Sequence, residues 1–122
     1  MFDTTDELLR QIQLGEDSSL ELKNLEYKNN QVSGPHRNSM ADELAAMANT
    51  ANSVVVLGVD DKSRTITGIP EEKLDIVETW IRNICNDLIE PPLFCRIRKI
   101  HVMADDEIKR VIIRIDVPKS LF

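Results

Sequence analysis

The chain reads as an α+β domain: a single mixed sheet of about five strands with three helices, in the order α-β-α-β-β-α-β-β. Three observations predict this. Residues 53–59 (SVVVLGV) form an unbroken, largely β-branched apolar run, the pattern of a strand buried on both faces. Leu74, Val77, Ile81, Ile84, Cys85 and Leu88 recur at helical spacing, and Pro91-Pro92 stops the stripe. Two more apolar segments, 93–103 and 108–117, flank a polar Ala104–Glu107 turn, as in a hairpin.

The other elements follow from local chemistry. Residues 5–14 (TDELLRQIQL) place Leu8, Leu9 and Ile12 on one helical face, with Thr4 or Thr5 to cap the start and Gly15 to end it. Residues 19–24 alternate, with Leu20 and Leu22 facing one way and Glu21 and Lys23 the other, so a short half-buried strand is expected. Residues 25–38 are polar and contain Gly34-Pro35; they read as a mobile loop that extends the strand through Tyr27 at most. Asn38 or Ser39 then caps a second helix with Asp42 and Glu43 in its first turn. Leu44, Met47 and Ala48 are its apolar side, and Asn49 is the expected cap at its end. After 53–59, Asp60–Ser63 is a turn and Arg64–Gly68 a returning strand. Pro70 opens the third helix, whose Trp80 is expected in the core or an interface.

Composition narrows the function classes. The chain has 122 residues, enough for one core, and is 42% hydrophobic and 30% charged, the balance of a folded soluble protein. Aromatics are only 4%, so that core must be aliphatic. No run of 18 apolar residues exists to span a membrane, and the acidic start MFDTTDELLRQ is no signal peptide. Cys85 and Cys95 lack C-x-x-C spacing and read as buried, reduced thiols, with a disulfide as the alternative and a cytoplasmic location expected. His36 and His101 lack the neighbours of a zinc site.

A net charge of −6 argues against binding nucleic acid with the whole surface. It leaves room for a local patch. The densest basic set is Arg96, Arg98, Lys99 and His101 on one expected strand, with Lys109, Arg110 and Arg114 on the next. Lys23, Lys28 and Arg37 lie near the expected loop and extend the set. Arg96 and Arg98 share a strand face, as do Arg110 and Arg114. A phosphate-contacting surface and an ordinary solvent face both predict such a pattern.

Specific stretches carry a family resemblance. They are GEDSSLELK at 15–23, ADELAAMANTANSVVVLGVDD at 41–61, GIPEEKLD at 68–75, IEPPL at 89–93 and DVPKS at 116–120. Together they resemble the Alba-like, Schlafen-type domain, described as a DNA-binding domain of bacterial transcriptional regulators and ATP-binding regulatory proteins. The family's helix-to-strand turn has Gly-Gly after Asn-Thr; here Asn52-Ser53 replaces the glycines, which weakens any glycine-dependent ligand site. The resemblance implies a non-catalytic module that binds DNA or RNA without a cofactor. It also implies homodimerisation and a downstream domain in a longer polypeptide. Animal Schlafens suggest an alternative. Some of them bind a metal and cut RNA with two glutamates and an aspartate at positions matching Glu16, Glu21 and Asp60. Three converging carboxylates suit Mg²⁺ or Mn²⁺ and would make the domain an endoribonuclease. The plainer alternative makes Glu16 a helix-end cap, Glu21 a solvent-facing strand residue and Asp60 an Asx turn. A dimerisation or scaffold module is the third reading.

Overall fold

In a computed structural model, residues 3–17, 19–104 and 106–120 are described. Ser18 of the first signature, Asp105 of the expected hairpin turn and the terminal Leu121-Phe122 lie outside the described residues. The elements are α1 (Thr5–Leu14), β1 (Leu20–Lys23), β2 (Glu26–Lys28), β3 (Gln31–Gly34), α2 (Arg37–Thr50), β4 (Ser53–Leu57), α3 (Leu74–Asp87), β5 (Arg96–Met103) and β6 (Lys109–Val117). A single 3₁₀ turn, Glu71–Lys73, leads into α3. The α+β class and its three helices stand as the sequence predicts. The sheet differs in detail: four strands in the order β1-β4-β6-β5, plus a separate two-stranded ribbon, β2-β3.

The main sheet is mixed. β1 and β4 run parallel, pairing Leu20 with Val54 and Lys23 with Leu57. A parallel pair needs a crossover, supplied here by the ribbon and α2. β4–β6 and β6–β5 are antiparallel. Every residue of β4 is buried, because this strand lies between two others and under helices on both faces.

Alternation assigns the two faces. One carries Val55, Leu57, Ile113, Ile115 and Val117, which pack with Leu44 and Ala48 of α2 and Val77, Ile81 and Ile84 of α3. The other carries Leu20, Leu22, Val54, Val56, Ile112 and Val102, covered by Leu8 and Ile12 of α1. The helix α1 is ten residues long, about 15 Å. Beyond Leu8 and Ile12, at the end of the β5–β6 pair, Arg96 is exposed and Arg98 and Asp116 are half-buried, while Arg114 is buried.

Three sequence expectations change. Residues 25–38 are a hairpin, not a mobile loop. Asn29 and Asn30 take φ of 52° and 60° at its two-residue turn, and Asn is among the few residues that accept this. Tyr27 and Val32 pin the ribbon to the α2–α3 core. Residues 64–68 are not a strand, since only a single Val59–Ile66 bridge forms. Arg64 and Gly68 both adopt positive φ, which interrupts a ladder. Finally, α2 begins earlier than expected. His36 caps it, accepting the Asn38 N–H at Nδ1 (3.2 Å), so Asp42 and Glu43 fall beyond its first turn.

Candidate nucleic-acid interface and acidic cluster

This end of the sheet borders an arginine-lined cavity of about 420 Å³. Strand register builds it. Arg98 is the cross-strand partner of Arg114, and Arg96 is the partner of Asp116. All four residues therefore point to the α1 side. Asp116 organises the group. Arg114 Nε donates to Asp116 Oδ1 at 3.0 Å, with its Nη2 2.9 Å from the same oxygen, and Arg98 Nη2 donates to Oδ2 at 2.9 Å. Two guanidinium groups thus share one carboxylate. Arg114 is 4% exposed and fixed in place. Arg96 is exposed and makes no ion pair among the described residues, and Arg98 Nε is buried without a hydrogen-bond partner among them. Asn52, Ser53, Phe94 and Pro118 complete the rim, with Asp3 as a second acid. Three arginines against two acids leave the cavity net positive in a protein of net charge −6.

The rest of the expected basic set does not join this site. Arg110 is on the same face but farther along β6, where it pairs with Asp106 at 2.7 Å and reaches the Thr67 carbonyl. Lys99 faces the opposite side and approaches Asp75 at 3.8 Å. Lys28 and Arg37 are exposed near the ribbon on the α2–α3 side. Lys23 is tied up beneath α2 by carboxylates, 2.7 Å from Glu43 and 3.3 Å from Glu21. Pattern alone could pair residues within a strand, but the grouping across strands required the register.

Glu16 and Glu21 do come together. The Glu16 Oε2 accepts the Leu22 N–H at 3.1 Å, sealing the outer edge of β1 rather than capping a helix end. Glu21 faces α2 rather than solvent. Burial, then a hydrogen bond and charge repulsion from Glu16, push its carboxyl up to about 7, despite Lys23. Burial lowers the proton affinity of Lys23, but Glu43 and Glu21 outweigh it and hold the ammonium above its ordinary value.

Asp60 stands at the neighbouring strand end. The Lys23 carbonyl accepts the Gly58 and Val59 N–H groups at 2.8 and 3.3 Å, bringing the end of β1 beside the turn that starts at Asp60. A surface recess of about 360 Å³ between them is lined by Lys23, Asn24, Asp60 and Asp61. The Asp60 carboxylate accepts the Ser63 and Lys62 N–H groups at 2.9 Å each, an Asx-type turn that holds it below the usual carboxylate range. Among the described residues, no three His, Cys, Asp or Glu side chains are placed to hold a metal ion. The donor set as arranged does not fit Mg²⁺ or Mn²⁺: the Lys23 ammonium already sits on Glu21, Glu16 accepts the Leu22 N–H, and Asp60 is committed to its own turn.

The helix-to-strand turn accommodates the missing glycines. Ala51 ends α2 in an extended conformation, and neither Asn52 nor Ser53 has positive φ. Asn52 Oδ1 accepts the Lys119 N–H at 2.7 Å, and the fully buried Ser53 donates to the Ala51 carbonyl. Ala51, not Asn49, is the cap. Trp80 is partly buried against the α2–α3 core, as one of its two expected placements has it. Among the described residues no helix is long and apolar enough to cross a membrane.

A mixed sheet with helices on both faces, a Glu-x-Lys edge strand and a central strand followed by an Asp60-Asp61 turn make a Schlafen-type α+β domain. The sequence agrees: the family model described as "Schlafen, AlbA_2" matches residues 16–121, and the chain belongs to that family. No curated protein sequence matches the chain.

Proposed function

We propose that this domain is a non-catalytic nucleic-acid-binding module that grips phosphate in the arginine cavity of the β5–β6 pair. The observation that carries this reading is the cross-strand pairing of Arg98 with Arg114 in one cavity with Arg96, which is exposed and makes no ion pair among the described residues. Guanidinium groups suit phosphate because they donate in a planar fork and stay charged. Asp116 fixes two of them, and the exposed Arg96 is free to engage. Contacts of this kind position a backbone and read no bases, so DNA and RNA are both candidate partners. In the same reading the module serves a cytoplasmic bacterial transcriptional regulator, acts as a homodimer and is joined to a downstream domain.

Fluorescence anisotropy against single- and double-stranded DNA and RNA at two salt concentrations tests the reading. Phosphate contacts from the two accessible arginines, Arg96 and Arg98, correspond to a log–log salt slope of about −2. Arg96→Ala is expected to lower that slope in magnitude by about 1. No binding at low salt up to high micromolar protein overturns the proposal. RNA cleavage in Mn²⁺ that disappears in Glu21→Gln overturns its non-catalytic part.

A further inference from the structure

We propose that Cys85 and Cys95 form an oxidisable dithiol site, which reacts with hydroperoxides and closes to an intramolecular disulfide. The two thiols come from different elements, the last turns of α3 and the segment entering β5, and the Pro91-Pro92 turn folds one back onto the other. Their sulfurs are 3.6 Å apart and hydrogen-bonded, and both cysteines are free. The Leu93 N–H donates to the Cys85 carbonyl at 3.2 Å, clamping the returning chain against the helix end. A disulfide needs about 2.05 Å between the sulfurs, so the pair closes by small side-chain rotations without separating the elements.

The site also has an entrance and a polarity. A recess of about 240 Å³ is lined by both cysteines together with Arg82, Asn86, Phe94 and Arg96, large enough for a small hydroperoxide. Cys85 is the better thiolate: between neutral thiols Cys85 donates to Cys95, and once Cys85 ionises the Cys95 S–H can donate back, which with the Arg82 charge favours the Cys85 anion against the cost of burial. Cys95 is pushed the other way by the same hydrogen bond, by burial and by the nearby Asp116. This splits the roles. Cys85 attacks and Cys95 resolves.

The chemistry balances. The Cys85 thiolate sulfur attacks the terminal peroxide oxygen, the O–O bond breaks, and the leaving alkoxide or hydroxide takes a proton from water. Cys85 is then a sulfenic acid. The Cys95 sulfur attacks the Cys85 sulfur, the S–O bond breaks and the S–S bond forms. The Cys95 proton leaves with the departing oxygen as water. Two electrons pass from the thiol pair to the hydroperoxide. The bridge would tie α3 to the strand that carries Arg96 and Arg98, but the redox site stands whether or not those arginines bind nucleic acid.

The test treats the reduced protein with stoichiometric hydrogen peroxide and follows free thiols and intact mass. The expected product is a monomer that has lost both thiols and two hydrogen atoms, yields a peptide pair crosslinked at Cys85 and Cys95, and is restored by dithiothreitol. Cys95→Ser is expected to stop at a sulfenic acid that dimedone traps on Cys85. Cys85→Ser is expected to react at least tenfold more slowly than wild type. Cys85→Ala and Cys95→Ala serve as second variants, and circular dichroism verifies their folding. Persistence of both thiols overturns the proposal, as does oxidation that yields only intermolecular crosslinks or sulfonic acid. Faster labelling of Cys95 than Cys85 overturns the assignment of roles.

Discussion

Replacing Glu21 with Gln should stabilise the protein at alkaline pH and leave it unchanged at acid pH. Glu21 lies beside Glu16 with its carboxyl raised from 4.5 to about 7, chiefly by burial and then by Glu16. The folded state therefore holds this proton more tightly than the unfolded chain does. Below about pH 4.5 both states are protonated and the residue carries no penalty. As pH rises towards 7 the unfolded chain ionises first, so stability falls; above about 7.5 the loss is complete. The whole shift corresponds to about 3 kcal/mol. The side chain is 32% exposed and Lys23 sits 3.3 Å away, so solvent screening leaves about 1–2 kcal/mol. A glutamine amide keeps the hydrogen bond to Glu16 without the charge, and Lys23 retains Glu43. Thermal unfolding of both proteins at pH 4.5 and pH 8 measures the effect. At about 4 °C per kcal/mol for a chain of this size, the variant should melt about 4–8 °C higher at pH 8 and within error of wild type at pH 4.5. Equal melting at pH 8, or the same increment at both pH values, refutes the reasoning.

Other outcomes follow from the same contacts. Leu8→Ala removes one of two fully buried α1 anchors, and urea titration should show a loss of about 2–4 kcal/mol. Arg114→Ala leaves Asp116 with one of its two partners and opens a hole in the sheet, costing about 2–4 kcal/mol in the same assay; Arg96→Ala, exposed and unpaired, should stay within about 0.5 kcal/mol. That contrast makes Arg96 the cleaner probe of binding. Asn30→Val forces a β-branched residue into φ of 60° and should cost about 1–2 kcal/mol by guanidinium titration, with no change in the arginine cavity.

Much of this architecture was legible residue by residue. Thr4 and Gly15 bracket α1 as their capping chemistry dictates. The 53–57 run is buried throughout, and the Leu74-to-Cys85 stripe is the buried face of α3. The ribbon at 26–34 was missed because its strands are short and polar. Its one sequence signal is Asn29-Asn30, a two-residue turn of the kind that hairpins use. Residues 64–68 read as a strand because alternating Thr and Ile suit one locally, while the positive φ at Arg64 and Gly68 arises only from how the turn folds back.

The sequence alone determined the class of the fold, its helices, its core strands and its family, because capping and hydrophobic periodicity act over a few residues at a time. It also determined that Arg96 and Arg98 share a face. Only the tertiary structure decided which charges become neighbours. Register set Arg114 beside Arg98 and both on Asp116, while the packing of α2 gave Lys23 to Glu43 and Glu21. Those outcomes depend on strands and helices far apart in the chain, and Coulomb and desolvation energies follow distance in space, which the order of residues does not record.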